Sequence, residues 1–292
     1  MLMDWIKNLR YTPTQEESDM PNEIVDDRLS YAIRKPTPNH SGKITPKFIV
    51  MHYTAANSAE SAIRTFQSAS SRVSAHLTVD LDGTVYQHAP FNIKTWHAGP
   101  SQHMGYSGLN SHSIGIEIVN VGWLKDEGNM WVRRNSRGQV EASMSKSAKG
   151  VVMANARVGG GKFFWPAYPD KQLEAVGDIT DDILEEYNIL DIVSHEEIDT
   201  RGWKTDPGPS FPMDEYKRLV RENPHRDLDS DAYQVTASSL NVRSGPGSNY
   251  GKITSVLRGD IVLVVEADGK WKRIDLNGNE DGWVHGGYLR KI

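Results

Sequence analysis

Two histidines and one aspartate have the residue types and positions of a metal-ligand set. His52 follows the apolar run 49–51, and His195 follows the run 192–194. Side chains at the ends of buried strands project into the crevice where open α/β sheets bind ligands. Asp206, eleven residues after His195, lies in a turn rich in proline and glycine. Two imidazoles and one carboxylate would form a three-ligand zinc site with a fourth position open for water.

Spacing alone leaves an alternative open, because a single histidine is more often a hydrogen-bonded structural residue than a ligand. The paired zinc motif His-Glu-x-x-His is absent, since His195-Glu196-Glu197 has no second histidine. The chain contains no cysteine, which excludes disulfides, thiolate ligands and cysteine nucleophiles. Any metal must therefore be bound by His, Asp or Glu.

The elements that must position these side chains alternate between strands and helices. Residues 48–51 and 113–119 are short apolar runs typical of strands buried on both faces, and residues 189–193 have the same character. Helical patterns cover residues 58–68 and 170–187. This alternation predicts an α/β layer domain.

The remaining segments have different patterns. Residues 1–10 predict a short amphipathic helix, and the proline-containing stretch 11–46 predicts an extended arm on the surface. Residues 124–170 are expected to form a loop-rich insertion whose aromatic residues either wall the groove or only close the core. A polar linker is expected at 223–231. After it, short β-rich pieces separated by glycines predict a small all-β barrel of about 60 residues.

Composition excludes several classes of protein. The chain has 292 residues, 38% of them apolar, and a formal net charge of -5. A globular protein is expected, without the basic footprint of a nucleic-acid-binding protein. No apolar run is long enough for a transmembrane helix. The first seven residues lack the apolar stretch of a secretory signal, so we expect synthesis in the cytoplasm and, for any action outside it, release by lysis or non-classical export.

Five ordered blocks in residues 45–212 resemble the zinc-dependent N-acetylmuramoyl-L-alanine amidases, the family that includes the peptidoglycan recognition proteins. The blocks are Phe48-Ile49-Val50-Met51-His52-Tyr53-Thr54, Val73-Ser74-Ala75-His76, Thr95-Trp96-His97-Ala98-Gly99, Ser113-Ile114-Gly115-Ile116-Glu117, and Ser194-His195-Glu196-Glu197-Ile198 through Lys204-Thr205-Asp206-Pro207-Gly208-Pro209. The resemblance implies an α/β fold with a mixed central sheet flanked by helices. It also implies one Zn2+ per catalytic domain, bound by His52, His195 and Asp206.

The same resemblance implies roles for two further residues. Glu117 matches the family's catalytic glutamate, a general base and then acid; the alternative is an acidic residue that faces solvent, although its apolar neighbours argue against this. Lys204 fits as the cation beside the oxyanion; the alternative is an ordinary surface lysine. Ala75 departs from the phage-lysozyme branch, which places a catalytic tyrosine there, and this favours Glu117 as the base.

Candidates for contact with substrate are less specific. Tyr53, Trp96 and Asn120 are expected to contact sugar or peptide, although each could equally serve packing. His76 and His97 are expected at the cleft or beside the ligands, and not as ligands themselves.

Residues 232–292 resemble a bacterial SH3-like domain. The matching segments are Leu240-Asn241-Val242-Arg243-Ser244-Gly245-Pro246, Arg258-Gly259-Asp260, Trp271-Lys272-Arg273-Ile274 and Gly282-Trp283-Val284 with Tyr288-Leu289. In cell-wall enzymes such modules hold the catalytic domain near peptidoglycan; the alternative is a structural addition with no ligand. We therefore expect four parts: an N-terminal arm at 1–44, an amidase domain at 45–222, a linker at 223–231 and the SH3-like domain at 232–292.

The sequence thus predicts a zinc amidase that cleaves the amide between N-acetylmuramic acid and L-alanine in peptidoglycan or muropeptides. No nucleic acid, membrane insertion or protein partner is expected. A non-catalytic peptidoglycan-binding protein and a serine or metal-free hydrolase using Glu117 remain as alternatives.

Overall fold

The computed structural model describes residues 23–223, 232–275 and 281–292. The helix expected at 1–10 lies outside the described residues, as does the expected linker apart from Asn223. The chain divides into two compact units, residues 1–99 with 110–226, and residues 100–109 with 227–292. We describe each unit by itself.

The described strands and helices have the following bounds in chain order. The strands are β1 (Ile24–Val25), β2 (Arg28–Leu29), β3 (Ile33–Arg34), β4 (His40–Lys43), β5 (Phe48–Tyr53), β6 (Leu77–Val79), β7 (Val85–Gln87), β8 (Ile93–Thr95), β9 (Gln102–His103), β10 (Tyr106–Ser107), β11 (Ser113–Ile118), β12 (Lys125–Glu127), β13 (Met130–Arg134), β14 (Val140–Ser145), β15 (Gly150–Ala154), β16 (Lys162–Pro166), β17 (Asp191–Ser194), β18 (Ala232–Val235), β19 (Ser239–Arg243), β20 (Lys252–Leu257), β21 (Ile261–Asp268), β22 (Trp271–Asp275), β23 (Asp281–His285) and β24 (Leu289–Lys291). The α-helices are α1 (Ala59–Gln67), α2 (Asp170–Glu186), α3 (His195–Ile198) and α4 (Met213–Glu222).

A six-stranded mixed sheet forms the centre of the first unit, in the order β17-β5-β11-β6-β7-β3. The strands β17, β5, β11 and β6 are mutually parallel, and β7 is antiparallel to β6. Residues 48–51 are fully buried, as expected for a strand covered on both faces. Helix α2 packs on the sheet through Val176, Ile179 and Ile183. The predicted α/β class with a mixed sheet and flanking helices is confirmed.

The segment before the sheet differs from the surface arm expected for residues 11–46. Its strand β3 pairs with β7 and forms one edge of the central sheet, and β4 pairs with β8. Leu29 is fully buried, and its N–H donates to Gln87 Oε1. Because β3 has two residues and β4 has four, these strands are too short to show a periodicity from which strand could be predicted.

The expectation of a loop-rich insertion at 124–170 is wrong, because much of this stretch is strand. It forms a three-stranded sheet, β12-β13-β14, and a two-stranded sheet, β15-β16. Trp131 stacks on Phe164, with ring centroids 5.1 Å apart, in a small core of its own. Phe163, Phe164 and Trp165 are almost fully buried. These aromatic residues close a core, which was one of the two expected roles.

The second unit contains an antiparallel sheet in the order β20-β19-β23-β22-β21-β18-β24. Its core consists of alternating inward-facing apolar side chains, namely Val235, Leu240, Val242, Val262, Val264, Ile274 and Val284. This period of two buries one face of each strand. The predicted all-β character is confirmed.

Helix α2 carries an acidic cluster that predicts how stability varies with pH. Burial, together with the charges of Asp178, Asp182 and Glu185, raises the pKa of Asp181 to about 7. Burial also raises the pKa of Asp182 to about 6, although a hydrogen bond from Tyr31 opposes the shift. An unfolded aspartate titrates near pKa 3.9, roughly, so these two aspartates bind more protons in the folded state between pH 8 and 5, and their contribution to stability rises as the pH falls through this window.

We therefore expect Asp181→Asn to raise the melting temperature relative to the wild type at pH 8, with a smaller difference at pH 5.5, where the wild-type carboxyl is already protonated. Thermal unfolding followed by circular dichroism across this range is the measurement. The matched control is Glu60→Gln, which changes an exposed carboxylate on α1 to an amide. A melting temperature for Asp181→Asn that still depends on pH as in the wild type would contradict the assignment.

Candidate metal centre and cleft

The three expected ligands come together at the carboxyl ends of two neighbouring parallel strands. His52 lies near the end of β5, and β17 pairs with β5 so that Ser194 is opposite Met51. His195 begins α3 immediately after β17, where a capping box between Ser194 and Glu197 fixes the start of the helix. The N–H of Glu196 donates to the Asp206 carbonyl over 3.0 Å, which holds the turn against α3.

The ligand atoms form a small, closed triangle. His52 Nδ1, His195 Nδ1 and Asp206 Oδ2 are each 2.9 Å from the other two. The three residues are between 1% and 7% exposed. They are a metal-compatible group among the described residues. Protons cannot satisfy such a triangle completely, because three acceptor atoms meet at one point, and a cation is the group that all three would bind.

The titration behaviour of the triangle favours a cation. Burial, followed by the nearby charge of His195, lowers the pKa of His52 to about 4, which keeps this imidazole neutral at pH 7. Burial would raise the pKa of Asp206, but its close contacts with His195 and His52 outweigh burial and hold the pKa below its ordinary value. A neutral imidazole and an ionised carboxylate are the forms that bind metal.

Both histidines are oriented by contacts on their far ring nitrogens. His195 Nε2 donates to the Ala98 carbonyl over 3.1 Å, which leaves the Nδ1 lone pair facing the triangle. His52 Nε2 lies 3.0 Å from His97 Nδ1, and His97 Nε2 lies 3.3 Å from Ser113 Oγ. Contacts of this kind fix the tautomer and ring orientation of metal-ligating histidines.

The position of His97 depends on a glycine in the neighbouring strand. A Cβ added to Gly115 of β11 would lie 2.5 Å from the His97 ring, so a side chain there would displace the imidazole. Burial is the main cause that lowers the pKa of His97 well below its ordinary value. His97 therefore serves as a neutral hydrogen-bond partner behind His52, and it also lines the cleft.

Glu117 faces the triangle from the adjacent strand, since β11 pairs with β5 in parallel and Glu117 is opposite His52. Its Oε2 is buried without a hydrogen-bond partner among the described residues. Burial raises the pKa of Glu117 well above its ordinary value, the charge of Asp206 adds to this, and Lys204 opposes it. An unpartnered carboxyl oxygen with a raised pKa in a cleft is typical of a group that exchanges protons.

The expected substrate contacts fall into two sets. Tyr53, Trp96 and His97 line the same cleft as Lys204 and the three ligands. His76 is fully buried: its Nε2 donates to the Ile93 carbonyl and its Nδ1 accepts from the Gly115 N–H. Asn120 is also buried, and its side chain bridges the Pro166 carbonyl and the Gly122 N–H. His76 and Asn120 therefore have structural contacts and do not reach the cleft.

The cleft has a volume of about 440 Å³. One wall is formed by α1, including Phe66, and the other by the loop that carries Lys204. Trp123 and Trp203 also line it and were not expected from the sequence. Trp203 is 61% exposed, which marks it as a candidate contact residue. This exposure could not be predicted from the sequence, because loop residues show no hydrophobic periodicity.

The first unit contains the match to a known protein family. Residues 42–209, more than half of the chain, match the family model described as N-acetylmuramoyl-L-alanine amidase. The chain belongs to this family. Residues 238–290 match the bacterial SH3 domain model. The matched amidase region contains all three candidate ligands, Glu117 and Lys204.

Individual relatives of this amidase-family chain are distant. It is 26% identical over 159 residues to 1,6-anhydro-N-acetylmuramyl-L-alanine amidase AmpD of Citrobacter freundii, covering 54% of this chain and 62% of that protein. It is 30% identical over 175 residues to N-acetylmuramoyl-L-alanine amidase AmiD of Escherichia coli, covering 57% and 50%. The chain thus spans less than two thirds of either relative.

A structural comparison gives a similar degree of likeness. The solved complex of the E. coli amidase AmiD with anhydro-N-acetylmuramic acid-L-Ala-D-gamma-Glu-L-Lys has a TM-score of 0.44 and 26% identity, covering 61% of this chain and 58% of that one.

Within the parts of the chain that the structure describes, no helix has both the length and the apolar character needed to cross a membrane.

The contact between His97 and His52 predicts an effect on metal affinity. We expect His97→Ala to weaken metal binding by about 10- to 100-fold, since His52 loses the partner that fixes its tautomer. Competition with a fluorescent chelator measures the affinity. The control is His40→Ala, which removes an exposed histidine of β4. Unchanged affinity in His97→Ala would show that His52 needs no such partner.

Proposed function

We propose that this protein is a zinc-dependent N-acetylmuramoyl-L-alanine amidase. The observation that carries the proposal is the buried triangle of His52, His195 and Asp206, with Glu117 opposite His52 on the next strand. Membership of the amidase family and the amidase names of both relatives support the same activity. The substrate class is peptidoglycan or muropeptides that carry the amide between N-acetylmuramic acid and L-alanine.

Zinc suits this donor set. Zinc sites that catalyse hydrolysis use three N or O ligands at about 2.0–2.2 Å and leave one position open. Neighbouring ligands of a tetrahedral zinc ion are separated by roughly 3.3 Å, so the triangle need open by only a few tenths of an ångström. The bound ion would supply a Lewis acid and lower the pKa of water at the open position.

Glu117 carries the proton in the proposed reaction. Water adds to the lactyl carbonyl carbon, and Glu117 Oε2 accepts the proton that this water loses. The carbon–nitrogen bond then breaks, and Glu117 returns the proton to the departing amine of L-alanine. The raised pKa of Glu117 suits both steps, because a general acid–base group works best when its pKa is near the working pH.

Lys204 is proposed to stabilise the charge that develops on the carbonyl oxygen. It lines the cleft two residues before Asp206, and its position is fixed by its own backbone: its N–H donates to Asp199 Oδ2 and its carbonyl accepts from Arg157 Nη1. A preorganised donor at a developing oxyanion contributes about 3–4 kcal/mol. Tyr53 and Trp96 are proposed to contact the substrate from the cleft walls.

We further propose that the catalytic domain begins before the expected residue 45, because β3 is an edge strand of its sheet, and extends to residue 222. An SH3-like domain at 232–292 is proposed to hold the protein on the cell wall. The match to a bacterial SH3 domain model supports this division. The site of action in this proposal is the wall, where a second binding module raises the effective concentration of substrate.

Replacement of Glu117 separates catalysis from metal binding. We expect Glu117→Gln to lower the turnover number by at least about 100-fold, because proton transfer contributes roughly 10²–10⁴ in rate, while zinc content stays at that of the wild type. Release of L-alanyl peptides from a muropeptide and elemental analysis are the two measurements. Loss of zinc in this variant would reassign Glu117 as a ligand.

Chelation tests the proposal against its alternatives. Activity on purified peptidoglycan should vanish after exhaustive chelation and return on addition of zinc. A metal-free hydrolase would retain activity after chelation. A non-catalytic binding protein would show no amide hydrolysis in the zinc-loaded state.

The role of the SH3-like domain is tested by removing it. A chain ending at residue 223 should cleave a soluble muropeptide at the rate of the full chain but bind sedimented cell walls more weakly, since the wall contacts of residues 232–292 are lost. Co-sedimentation with purified walls measures binding. Equal sedimentation of both chains would show that this domain does not target the wall.

A further inference from the structure

The loop between α3 and the ligand Asp206 is organised by one buried carboxylate. Asp199 is 6% exposed, and its Oδ2 accepts the N–H groups of Trp203 over 3.0 Å and of Lys204 over 3.1 Å. Its Oδ1 accepts Arg201 Nε over 2.9 Å. Burial would raise the pKa of Asp199, but hydrogen bonds from the Trp203 N–H and from Arg201 outweigh it and lower the pKa to about 2. Asp199 is therefore ionised and fixes three neighbours of the cleft.

The side chains of this loop form a platform of Arg201 and Trp203 at the cleft. The Arg201 guanidinium carbon lies 4.5 Å from the Trp203 ring centroid, a cation–π contact that supports the indole. Arg201 also packs against the backbone of Gly99, where an added Cβ would lie 3.2 Å from Nη2. The indole is thus fixed in place, yet it remains 61% exposed.

An exposed tryptophan whose position is fixed inside a cleft indicates a ligand-binding contact. Tryptophan is the largest apolar side chain, and isolated exposure on a convex surface would need no explanation. Trp203, however, lines the same cleft as the metal triangle and Lys204. An aromatic ring presented in a concave site is typical of a ligand-binding contact.

We propose that the Arg201–Trp203 platform is a saccharide subsite, on which Trp203 stacks against the pyranose ring of the muramyl group. This inference rests on the proposed amidase function, since it assigns the sugar side of that substrate. A pyranose ring presents a face of C–H bonds, which packs on an aromatic ring as other apolar groups do.

The charge of the platform favours the neutral sugar over the peptide. The stem peptide carries carboxylates, and its recognition would call for an unbalanced cation. The charge of Arg201 is balanced by Asp199 at 2.9 Å, so the platform is neutral. Lys204, the neighbouring cation, is assigned to the reacting carbonyl. The platform therefore suits an uncharged ring.

Kinetics with two matched substrates test the subsite. One is an N-acetylmuramyl peptide, and the other is the same peptide carrying only the D-lactyl group in place of the whole sugar acid. We expect Trp203→Ala to raise KM for the first about tenfold with little change in kcat, and to leave KM for the second unchanged. Trp203→Phe should recover most of the loss, because it keeps an aromatic face. Equal effects of Trp203→Ala on both substrates would overturn the proposal.

Binding without turnover separates this proposal from the amidase function. Zinc-loaded wild type and Trp203→Ala are titrated with a peptide-free disaccharide of N-acetylglucosamine and N-acetylmuramic acid, and separately with the free stem peptide. We expect the variant to bind the disaccharide about tenfold more weakly and the peptide equally well. Val152→Ala, which shortens an exposed side chain outside the cleft, is the control.

Each outcome bears on one proposal. Unchanged disaccharide binding in Trp203→Ala overturns the saccharide subsite, and so does a loss confined to the stem peptide. Absence of amide hydrolysis by the wild type, together with weaker disaccharide binding by the variant, rejects the amidase function and keeps the saccharide subsite.

Discussion

Three buried acceptor atoms that meet at one point are the constraint on which this structure depends. A carboxylate and two imidazoles are buried away from water, and burial of polar groups is costly unless they are hydrogen-bonded or bound to a cation. The triangle of 2.9 Å contacts has too few protons to satisfy all three. A bound cation would satisfy all three atoms. Because the site exists only in the folded state, the free energy of binding that cation would add to the free energy of unfolding. The core strands on both sides must therefore be rigid enough to hold the acceptors together.

The parallel arrangement of β17, β5 and β11 explains why these groups meet. Parallel neighbours place their carboxyl ends at the same edge of the sheet, so His195, His52 and Glu117 emerge side by side. Because side chains alternate along a strand, the direct pairing of Glu117 with His52 puts both on the same face. A slip of one residue in this register would turn Glu117 into the core, and the apolar neighbours Ile116 and Ile118 resist it.

Much of this arrangement could be predicted from the sequence, because it follows from local patterns. The apolar runs before His52 and His195 marked the strands, and the helical period marked α1 and α2. The sequence predicted His97 at the cleft or beside the ligands, but its contact with His52 could not be predicted, because it depends on the missing side chain of Gly115 in another strand. Trp203 and Asp199 were missed for a related reason, since the path of a loop follows from hydrogen bonds that no periodicity reports. His76 has the motif position of a cleft residue, yet its contacts are those of a buried structural histidine.

The insertion that contains β12–β16 supports the site but contributes no proposed catalytic residue or metal ligand. Its aromatic residues are used in packing: Trp165 is buried, and a Cβ on Gly208 would lie 2.6 Å from the Trp165 ring, so the turn after Asp206 rests directly on the indole. Arg157 donates to the Lys204 carbonyl over 3.1 Å and pairs with Glu196. The turn of Lys204 and Asp206 is therefore held from outside by the insertion and from within by Asp199. This double support gives a loop the rigidity that a preorganised site needs, because a group displaced by about 1 Å loses most of its catalytic effect.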